Sequence, residues 1–383
     1  MAGLGETPAG NRIRVAFFGL RNAGKSTLVN AFCRQEVAIV SDVPGTTTDP
    51  VSKAMEILPL GPCTITDTAG LDDVGALGEE RVRRTLAVLS TADIAVWVEA
   101  EAPDEAGAAL RARFLDECRR RSVSVIEYRR GDSVDALREK VAAVRVAPEP
   151  SVLDGLVEAG DRVVCVCPID ESAPKGRLIL PQVQTIRDCL DRRATCSVCQ
   201  PGELPACLAE GAGGSRPTLV VTDSQAFGDV SGAVEAFRAS LPPGAPGVRL
   251  TSFSILFARQ KGDLAEYIRG MEAVRSLKDG DTVLVAEGCT HHRQCNDIGT
   301  VKMPKALCRL SGRELSFSFA SGNTFALEEG SLPALVVHCG GCMLTRREMR
   351  RRIEVCRSAG VPIVNYGLVL AAAAGLPMGD VLA

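Results

Sequence analysis

The chain has 383 residues, a hydrophobic content of 46% and a formal net charge of −3. At roughly 100–200 residues per domain, this length predicts two or three domains with ordinary cores. The charge excludes an overall basic surface, so no nucleic-acid partner is expected. The arginine runs Arg119–Arg121 and Arg346–Arg352 are therefore predicted to lie on solvated helix faces.

The cysteine content, the amino-terminal sequence and the length of the apolar runs indicate the cellular compartment. Fifteen cysteines would suit a disulfide framework, but Met1–Gly10 lacks the charged and apolar pattern of a signal peptide. The longest apolar run, Gly367–Met378, is shorter than the ~20 residues that span a bilayer. The sequence predicts a protein of a reducing cytoplasm without a membrane segment.

The first motif in chain order is a phosphate-binding loop. The predicted strand Arg12–Phe18 ends at Gly19-Leu-Arg-Asn-Ala-Gly-Lys-Ser26, and a helix follows from Thr27. The backbone amides of such a loop close around phosphates, Lys25 would reach the β- and γ-phosphates, and the Ser26 hydroxyl would hold Mg²⁺.

Two segments downstream complete the predicted nucleotide site. Val43–Asp49 offers threonine hydroxyls for Mg²⁺ and the γ-phosphate, Asp67 would be a second-shell Mg²⁺ carboxylate, and Gly70 would be a backbone amide switch. Ser26 and Thr47 are the predicted Mg²⁺ ligands. The predicted catalytic residues are Asn22, Thr47, Asp67 and Gly70. The predicted nucleotide-binding residues are Gly19, Asn22, Ala23, Gly24, Lys25, Ser26, Thr27, Thr46, Thr47, Asp67, Gly70 and Asp132.

These motifs resemble translation-factor-type GTPases of the TrmE/Era branch, with Asn22 and the Gly45–Asp49 segment as the closest features. The resemblance implies GTP as ligand and a K⁺ ion held partly by Asn22; alternatively, Asn22 merely tolerates a tight turn. Arg129-Arg-Gly-Asp132 stands where the branch carries Asn-Lys-x-Asp, and only Asp132 matches. Either this loop replaces the guanine motif or the strand carrying that motif is lost. The domain is a strand short on both interpretations, and guanine selectivity is open.

Pro148 and Pro150 mark a linker to a small α/β unit. Its predicted strands Asp161–Cys167 and Pro217–Thr222 leave open sheet edges, which a homodimer through residues 151–245 would cover. Cys196-Ser-Val-Cys199 is a lone C-x-x-C that is either redox-active or metal-binding, or part of the core.

All three histidines lie within three positions of a cysteine, in the segments Cys289-x-His291-His292 and His338-Cys339-x-x-Cys342. Between His291 and His338 there are 46 residues. Each cluster follows a predicted buried strand, Asp281–Ala286 or Pro333–Val337, so both lie where ligands bind in open α/β sheets. Thiolates and imidazoles select zinc or iron–sulfur chemistry, and the residues alone leave both open. The helix Thr345–Cys356 would direct its amino-terminal amides at an anionic cluster.

The combination of a phosphate loop with these two clusters resembles the FeFe-hydrogenase maturation GTPase family, HydF. So do Pro168–Gln182, Thr251–Arg259 and His338–Leu344. The resemblance implies a GTP-binding scaffold and carrier that receives a di-iron precursor from radical-SAM maturases and hands it to apo-hydrogenase. It implies a 4Fe-4S cluster on Cys289, Cys339 and Cys342, with His291 and His338 in the motif. His291, His338, Cys295 and Asp297 are the candidates for the fourth position, which would be exchangeable unless Cys295 closes it as a fourth thiolate.

The predicted fold is α/β throughout, with a disordered segment over 1–10, an apparently truncated P-loop GTPase domain over 11–147, a dimerisation domain over 151–245, and a Rossmann-like cluster domain over 248–383. Two other functions stay open. One is a tRNA-modification or ribosome-assembly GTPase with a structural zinc site, which would call for a basic or aromatic-rich RNA surface. The other is an electron-transfer protein, which usually has four cysteine ligands where three are obvious here.

Overall fold

The computed structural model describes residues 7, 9–33, 51–72, 85–99, 104–147, 149–169, 176–209, 217–245, 247–288, 297–322, 325, 327 and 331–381. The chain divides into two compact units, Met1–Pro148 and Glu149–Ala383. Within the described ranges, no helix is both long and apolar enough to cross a membrane.

The amino-terminal unit is built on a five-stranded sheet in the order β2-β3-β1-β4-β5. Only β2 runs antiparallel to its neighbour. The strands are β1 Ile13–Gly19, β2 Val51–Ile57, β3 Gly61–Asp67, β4 Ile94–Val98 and β5 Ser124–Tyr128; the helices are α1 Lys25–Cys33, α2 Glu105–Arg120 and α3 Val134–Ala142, with a further helical segment over 85–91.

Strand β1 lies at the centre of this sheet and is buried on both faces. Successive side chains of a strand point to opposite faces. Accordingly, Phe17 packs on Phe32 of α1 with ring centroids 5.4 Å apart, and Phe18 packs on Phe114 of α2 at 5.0 Å. The strand therefore ends at a fixed point between two helical layers, and the phosphate loop starts there.

The second unit contains two parallel four-stranded sheets. The first has the order β7-β6-β8-β9. Its strands are β6 Arg162–Val166, β7 Thr195–Cys199, β8 Leu219–Thr222 and β9 Arg249–Ser252; its helices are α4 Leu180–Asp191, α5 Leu204–Ala209, α6 Phe227–Ser240 and α7 Phe253–Lys261.

The second sheet of this unit has the order β11-β10-β12-β13. One continuous core joins it to the first sheet, from Val220 of β8 to Val337 of β12. Its strands are β10 Thr282–Ala286, β11 Ser316–Ala320, β12 Leu335–His338 and β13 Ile363–Asn365; its helices are α8 Leu264–Val274, α9 Met303–Ser311, α10 Arg346–Ser358, α11 Tyr366–Ala373 and α12 Met378–Val381.

The predicted α/β class is confirmed, but one element was placed wrongly. The sequence predicts a helix over Thr251–Ala258 in the last domain, whereas Thr251 and Ser252 belong to β9, which pairs with β8 in the middle sheet. Ser252 is extended and its side chain accepts from Ile255 N, so it caps a helix that begins only at Phe253. The predicted boundary between the middle domain, 151–245, and the last domain, 248–383, therefore assigns β9 to the last domain, whereas β9 pairs with β8 in the middle sheet.

Smaller differences occur at other elements. The sequence also predicts a helix over Leu264–Leu277, and this helix ends at Val274. The edge strand β11 is not predicted from the sequence. Most of the amino-terminal segment predicted as disordered lies outside the described residues, but Ala9–Asn11 form a 3-10 turn.

Candidate functional site

The phosphate loop joins β1 to α1 and encloses the side chain of Lys25. This lysine is buried, and its Nζ donates to the carbonyl oxygens of Leu20 at 2.7 Å and Gly19 at 3.3 Å. A Cβ at Gly19 would lie 2.5 Å from the Val98 carbonyl oxygen, so only glycine fits there. Asn22 adopts a positive φ of 60°, a conformation that asparagine tolerates better than most residues. The backbone is thus shaped for close approach of a phosphate.

Ser26 and Asp67 meet at the mouth of this loop. The Ser26 hydroxyl donates to Asp67 Oδ2 at 2.5 Å, while no described donor reaches the buried Oδ1 of Asp67. Burial raises the pKa of Asp67, and the Ser26 hydrogen bond and the Lys25 charge oppose this shift. A hydroxyl and a carboxylate with an unused oxygen form a donor set that fits Mg²⁺.

The loop after β3 lies directly against the phosphate loop. A Cβ at Gly70 would come within 2.8 Å of Arg21 N, and Arg21 N donates to Asp72 Oδ1 at 2.5 Å. Gly70 thus lies beside the phosphate loop, and its role as a switch stays a prediction. The predicted residues Thr46 and Thr47 lie outside the described residues, and Thr27 is exposed on α1.

The loop Arg129–Asp132 follows β5, two strands from β1. The Asp132 carboxylate accepts from Arg129 N at 2.9 Å, and Asp132 N donates back to the Arg129 carbonyl at 3.0 Å. The one residue that matches the guanine motif is therefore engaged by its own turn. Among the described residues, the sheet continues no further than β5.

The second candidate site lies at the carboxyl ends of β10 and β12. These strands pair in parallel with Ala286 opposite His338, and Cys339 N donates to the Ala286 carbonyl at 2.9 Å. We call residues 339–344, which follow β12, the cysteine loop. Gly288 N and Gly341 N both donate to Cys339 Sγ, at 3.2 Å and 3.4 Å. Two backbone donors on one sulfur favour its thiolate form.

Without a metal, both thiols of the cysteine loop favour the protonated form. Burial raises the pKa of Cys339 to about 11, against the effect of the Gly288 and Gly341 amides. Burial also raises the pKa of Cys342, which the Lys261 charge opposes. A bound metal deprotonates such thiols. The donor set fits a thiophilic metal or cluster.

Of the remaining predicted ligands of this site, the structure describes only Asp297 and His338. Cys289, His291 and Cys295 lie outside the described residues, although Cys289 directly follows Gly288 in the sequence. Among the residues that are described, no three His, Cys, Asp or Glu side chains are close enough to hold a metal ion. Asp297 already accepts from Thr300 N at 2.9 Å and from Thr300 Oγ1 at 3.0 Å.

His338 is completely buried, and both of its ring nitrogens form hydrogen bonds. Nε2 lies 3.0 Å from Arg352 Nη1, which can only donate, so Nε2 is the acceptor. Nδ1 then carries the proton and donates to the Cys339 carbonyl at 2.8 Å. Burial and the Arg352 charge lower the pKa of His338 to about 3, so the ring is neutral. This geometry does not support the predicted role of His338 as an iron ligand, because neither nitrogen has a free lone pair.

The prediction that Arg346–Arg352 forms a solvated face is wrong for its last residue. Arg352 is 1% exposed, and its Nε donates to Glu348 Oε1 at 2.7 Å. Its guanidinium also lies over the Phe325 ring at 5.1 Å. Arg352 and Glu348 thus form a buried ion pair, and Arg352 also contacts His338. The sequence does not predict this pair, because arginines are normally exposed.

The C-x-x-C pair of the middle domain does not converge on one site. Cys196 belongs to the core on the side of β6 that carries Cys165, with the two sulfurs 3.7 Å apart. Cys199 packs with Cys207 in the core on the opposite face. Residues three apart on a strand point to opposite faces, so the core interpretation of this motif holds.

The amino-terminal fold and its site define a P-loop GTPase domain. Residues 14–127 match the model of the 50S ribosome-binding GTPase family. Curated relatives of this region include tRNA modification GTPase MnmE of Methylobacterium sp., 42% identical over 115 residues, and that of Erythrobacter litoralis, 38% identical over 146. These alignments cover 28% and 36% of the chain, and the chain spans only 25% and 34% of those proteins.

The rest of the chain identifies the family. Residues 152–262 match the hydrogen maturase F dimerization domain, and residues 265–379 match the hydrogen maturase F tetramerization domain. The two matches together cover more than half of the chain, which belongs to the hydrogen maturase F family. A solved structure of Aquifex aeolicus Era bound to GDP and aluminium fluoride aligns over 80% of this chain and 93% of its own, with 16% identity and a TM-score of 0.26, too low to carry an argument.

Proposed function

We propose that this chain is a GTP-binding scaffold and carrier that delivers a di-iron precursor to apo FeFe-hydrogenase. The observation that carries the proposal is the pair of amide hydrogen bonds on Cys339, one of them from Gly288. Gly288 is the residue that precedes Cys289 in the sequence, so this bond joins the segment before the first cysteine motif to the second motif. Family membership and the P-loop domain support the nucleotide-binding part.

The resident cofactor in this proposal is a 4Fe-4S cluster held by Cys289, Cys339 and Cys342. A cubane has four irons, so three thiolates leave one iron with an exchangeable ligand. Since both ring nitrogens of His338 are engaged in hydrogen bonds, the candidates for the fourth position narrow to His291, Cys295 and Asp297, whose bonds with Thr300 both use Oδ2. A site of this kind offers the di-iron cargo a coordination position that can be vacated.

The amino-terminal domain would act as a switch. Lys25 and Ser26 would bind the phosphates and Mg²⁺ with Thr47, and Asp67 would orient the metal through its unused Oδ1. Gly70 would sense the γ-phosphate because it already lies against Arg21. Asn22 would help to hold K⁺, in which case K⁺ should speed GTP hydrolysis more than Na⁺ does.

We further propose a homodimer formed through the middle domain. Strand β7 is an edge of its sheet, and its Val198 side chain is 47% exposed. Leu190 on the neighbouring helix α4 is 63% exposed. An open edge strand flanked by apolar side chains favours pairing with a second copy. The family model that matches this region, residues 152–262, is that of a dimerization domain. The radical-SAM maturases and apo-hydrogenase would be transient partners.

Anaerobic purification tests this function. We expect a brown protein with about four irons and four sulfides per chain, the composition of a cubane cluster. The Cys339→Ser variant should lose both while keeping its nucleotide affinity. A colourless wild-type protein with stoichiometric zinc would instead support a structural metal site and overturn the carrier proposal.

A further inference from the structure

Lys261, the last residue of helix α7, is a charged side chain with no solvent exposure. Its Nζ donates to three carbonyl oxygens of the cysteine loop: Leu344 at 2.7 Å, Cys342 at 3.1 Å and Gly341 at 3.4 Å. The ammonium also lies 5.3 Å from the centre of the Phe257 ring. One lysine thus determines the path of the backbone on both sides of the Cys342 thiol.

Helix α7 contacts the cysteine loop near both of its ends. A Cβ at Gly340 would lie 3.2 Å from Ser254 Oγ in the first turn of α7, and Lys261 is in the last turn. Phe253, Leu256 and Phe257 of the same helix belong to the middle-domain core, against which Cys342 packs. The cysteine loop is therefore shaped by a helix of the preceding domain.

The position of Lys261 has an electrostatic consequence. Removing an ammonium group from water is costly unless it is hydrogen-bonded, and here three carbonyls fill its donor positions. The charge lies beneath a loop whose two cysteines must become thiolates to bind a metal. Net charge and hydrogen bonding around the sulfurs set both the affinity and the reduction potential of iron–sulfur clusters.

We propose that Lys261 is a positioning residue for the cluster, which it serves by fixing the Gly341–Leu344 backbone and by supplying a positive charge beside the Cys342 thiolate. This inference rests on the proposed cluster-binding function. It makes the middle domain a determinant of cluster affinity and potential, although the cysteines are all in the last domain. The sequence gives no signal of this role, because a lysine in the last turn of a helix is ordinary.

The test compares Lys261→Met with Arg259→Met in the full-length, cluster-loaded protein. Arg259 is on the same helix, but its Nη1 donates to the Asp154 carbonyl, away from the cysteine loop. We expect Lys261→Met to weaken iron retention against a chelator by about 10-fold to 100-fold, the usual effect of losing a second-shell partner. The reduction potential should become more negative because a positive charge is lost. Arg259→Met should change neither.

The outcomes separate this inference from the proposed function. A wild-type protein that assembles no cluster contradicts the function itself. A wild-type cluster whose retention and potential are unchanged in Lys261→Met overturns the role of Lys261. If Lys261→Met does not fold, Lys261→Gln keeps a donor without the charge, and a potential equal to that of wild type in this variant also overturns it. Thermal unfolding of the cluster-free variants distinguishes a folding defect from a cluster defect.

Discussion

The backbone amide of Gly288 donates a hydrogen bond to the Cys339 sulfur over 3.2 Å, although the two residues are 51 positions apart. The parallel pairing of β10 with β12 produces this contact, because it aligns the ends of the two strands. Two short cysteine motifs separated by a folded segment can therefore form one metal site.

Nucleotide selectivity should be weak. Arg129 and Arg130 stand where asparagine and lysine would contact guanine, and the Asp132 carboxylate already accepts from Arg129 N. A site that lacks groups built to hydrogen-bond a base discriminates poorly, so we expect a GTP preference over ATP of less than about tenfold. Calorimetry with both nucleotides measures it. Lys25→Ala should abolish binding of both, and tight, GTP-exclusive binding by the wild type would refute this reading of the loop.

His338 should prove dispensable as an iron ligand. Both ring nitrogens are hydrogen-bonded, to Arg352 and to the Cys339 carbonyl. We expect the His338→Gln variant to assemble a cluster, with the same nitrogen couplings in pulsed electron paramagnetic resonance as the wild type. Cys339→Ser, which removes a thiolate, is the control that should lose the cluster. A histidine coupling present in the wild type and lost in His338→Gln would show that His338 does bind iron.

Arg352 should matter for stability far more than a neighbouring arginine of the same helix. Arg352→Met would leave Glu348, which is 4% exposed, as a buried charge without its Arg352 partner. Breaking a buried pair from one side costs about 3–5 kcal/mol of unfolding free energy, and we expect the lower end of this range because Glu348 keeps its ion pair with Arg351 at 2.8 Å. Arg357 pairs with Glu354 and Glu266 at the surface, so Arg357→Met should cost less than about 1 kcal/mol.

Urea unfolding of the cluster-free proteins measures both variants. The double variant Arg352→Met/Glu348→Gln should recover part of the loss, because the buried carboxylate that lost its Arg352 partner is gone. Equal effects of Arg352→Met and Arg357→Met would contradict the buried-pair account.

A charge on the edge strand β7 should break the dimer. Val198→Glu places a carboxylate among exposed apolar side chains at the open sheet edge, where burial by a partner would desolvate it. We expect a dimer dissociation constant at least about tenfold higher in analytical ultracentrifugation. Leu58→Glu is a matched control, because Leu58 is 77% exposed in the amino-terminal unit. Unchanged association of Val198→Glu, or a monomeric wild type at micromolar concentration, rules out this interface.

The sequence predicts the buried parallel strands best. The predicted strand Asp281–Ala286 is found at Thr282–Ala286, because a strand that is buried on both faces appears as an uninterrupted apolar run. The prediction of a helix over all of Thr251–Ala258 is wrong for Thr251 and Ser252, because a short apolar run is compatible with either a strand or a helix. Period-two alternation decides that Cys196 and Cys199 face opposite sides once the strand is known.

The sequence predicts a functional site well when the residues of that site are neighbours in the chain. The phosphate loop and the cysteine motifs carry their function in adjacent residues, so spacing suffices to find them. The roles of Arg352 and Lys261 depend on partners 14 and about 80 positions away. Charged residues are exposed by default, and only tertiary packing shows which ones are buried.

The carrier claim is tested most directly by transfer. The wild-type chain, loaded anaerobically with the di-iron precursor and separated from the maturases, should confer hydrogen evolution on purified apo FeFe-hydrogenase. The same preparation of Cys339→Ser should not, although it binds nucleotide normally. Activation that is equal with Cys339→Ser, or no activation by a wild-type chain that demonstrably carries the precursor, would contradict the proposal that this chain is the carrier.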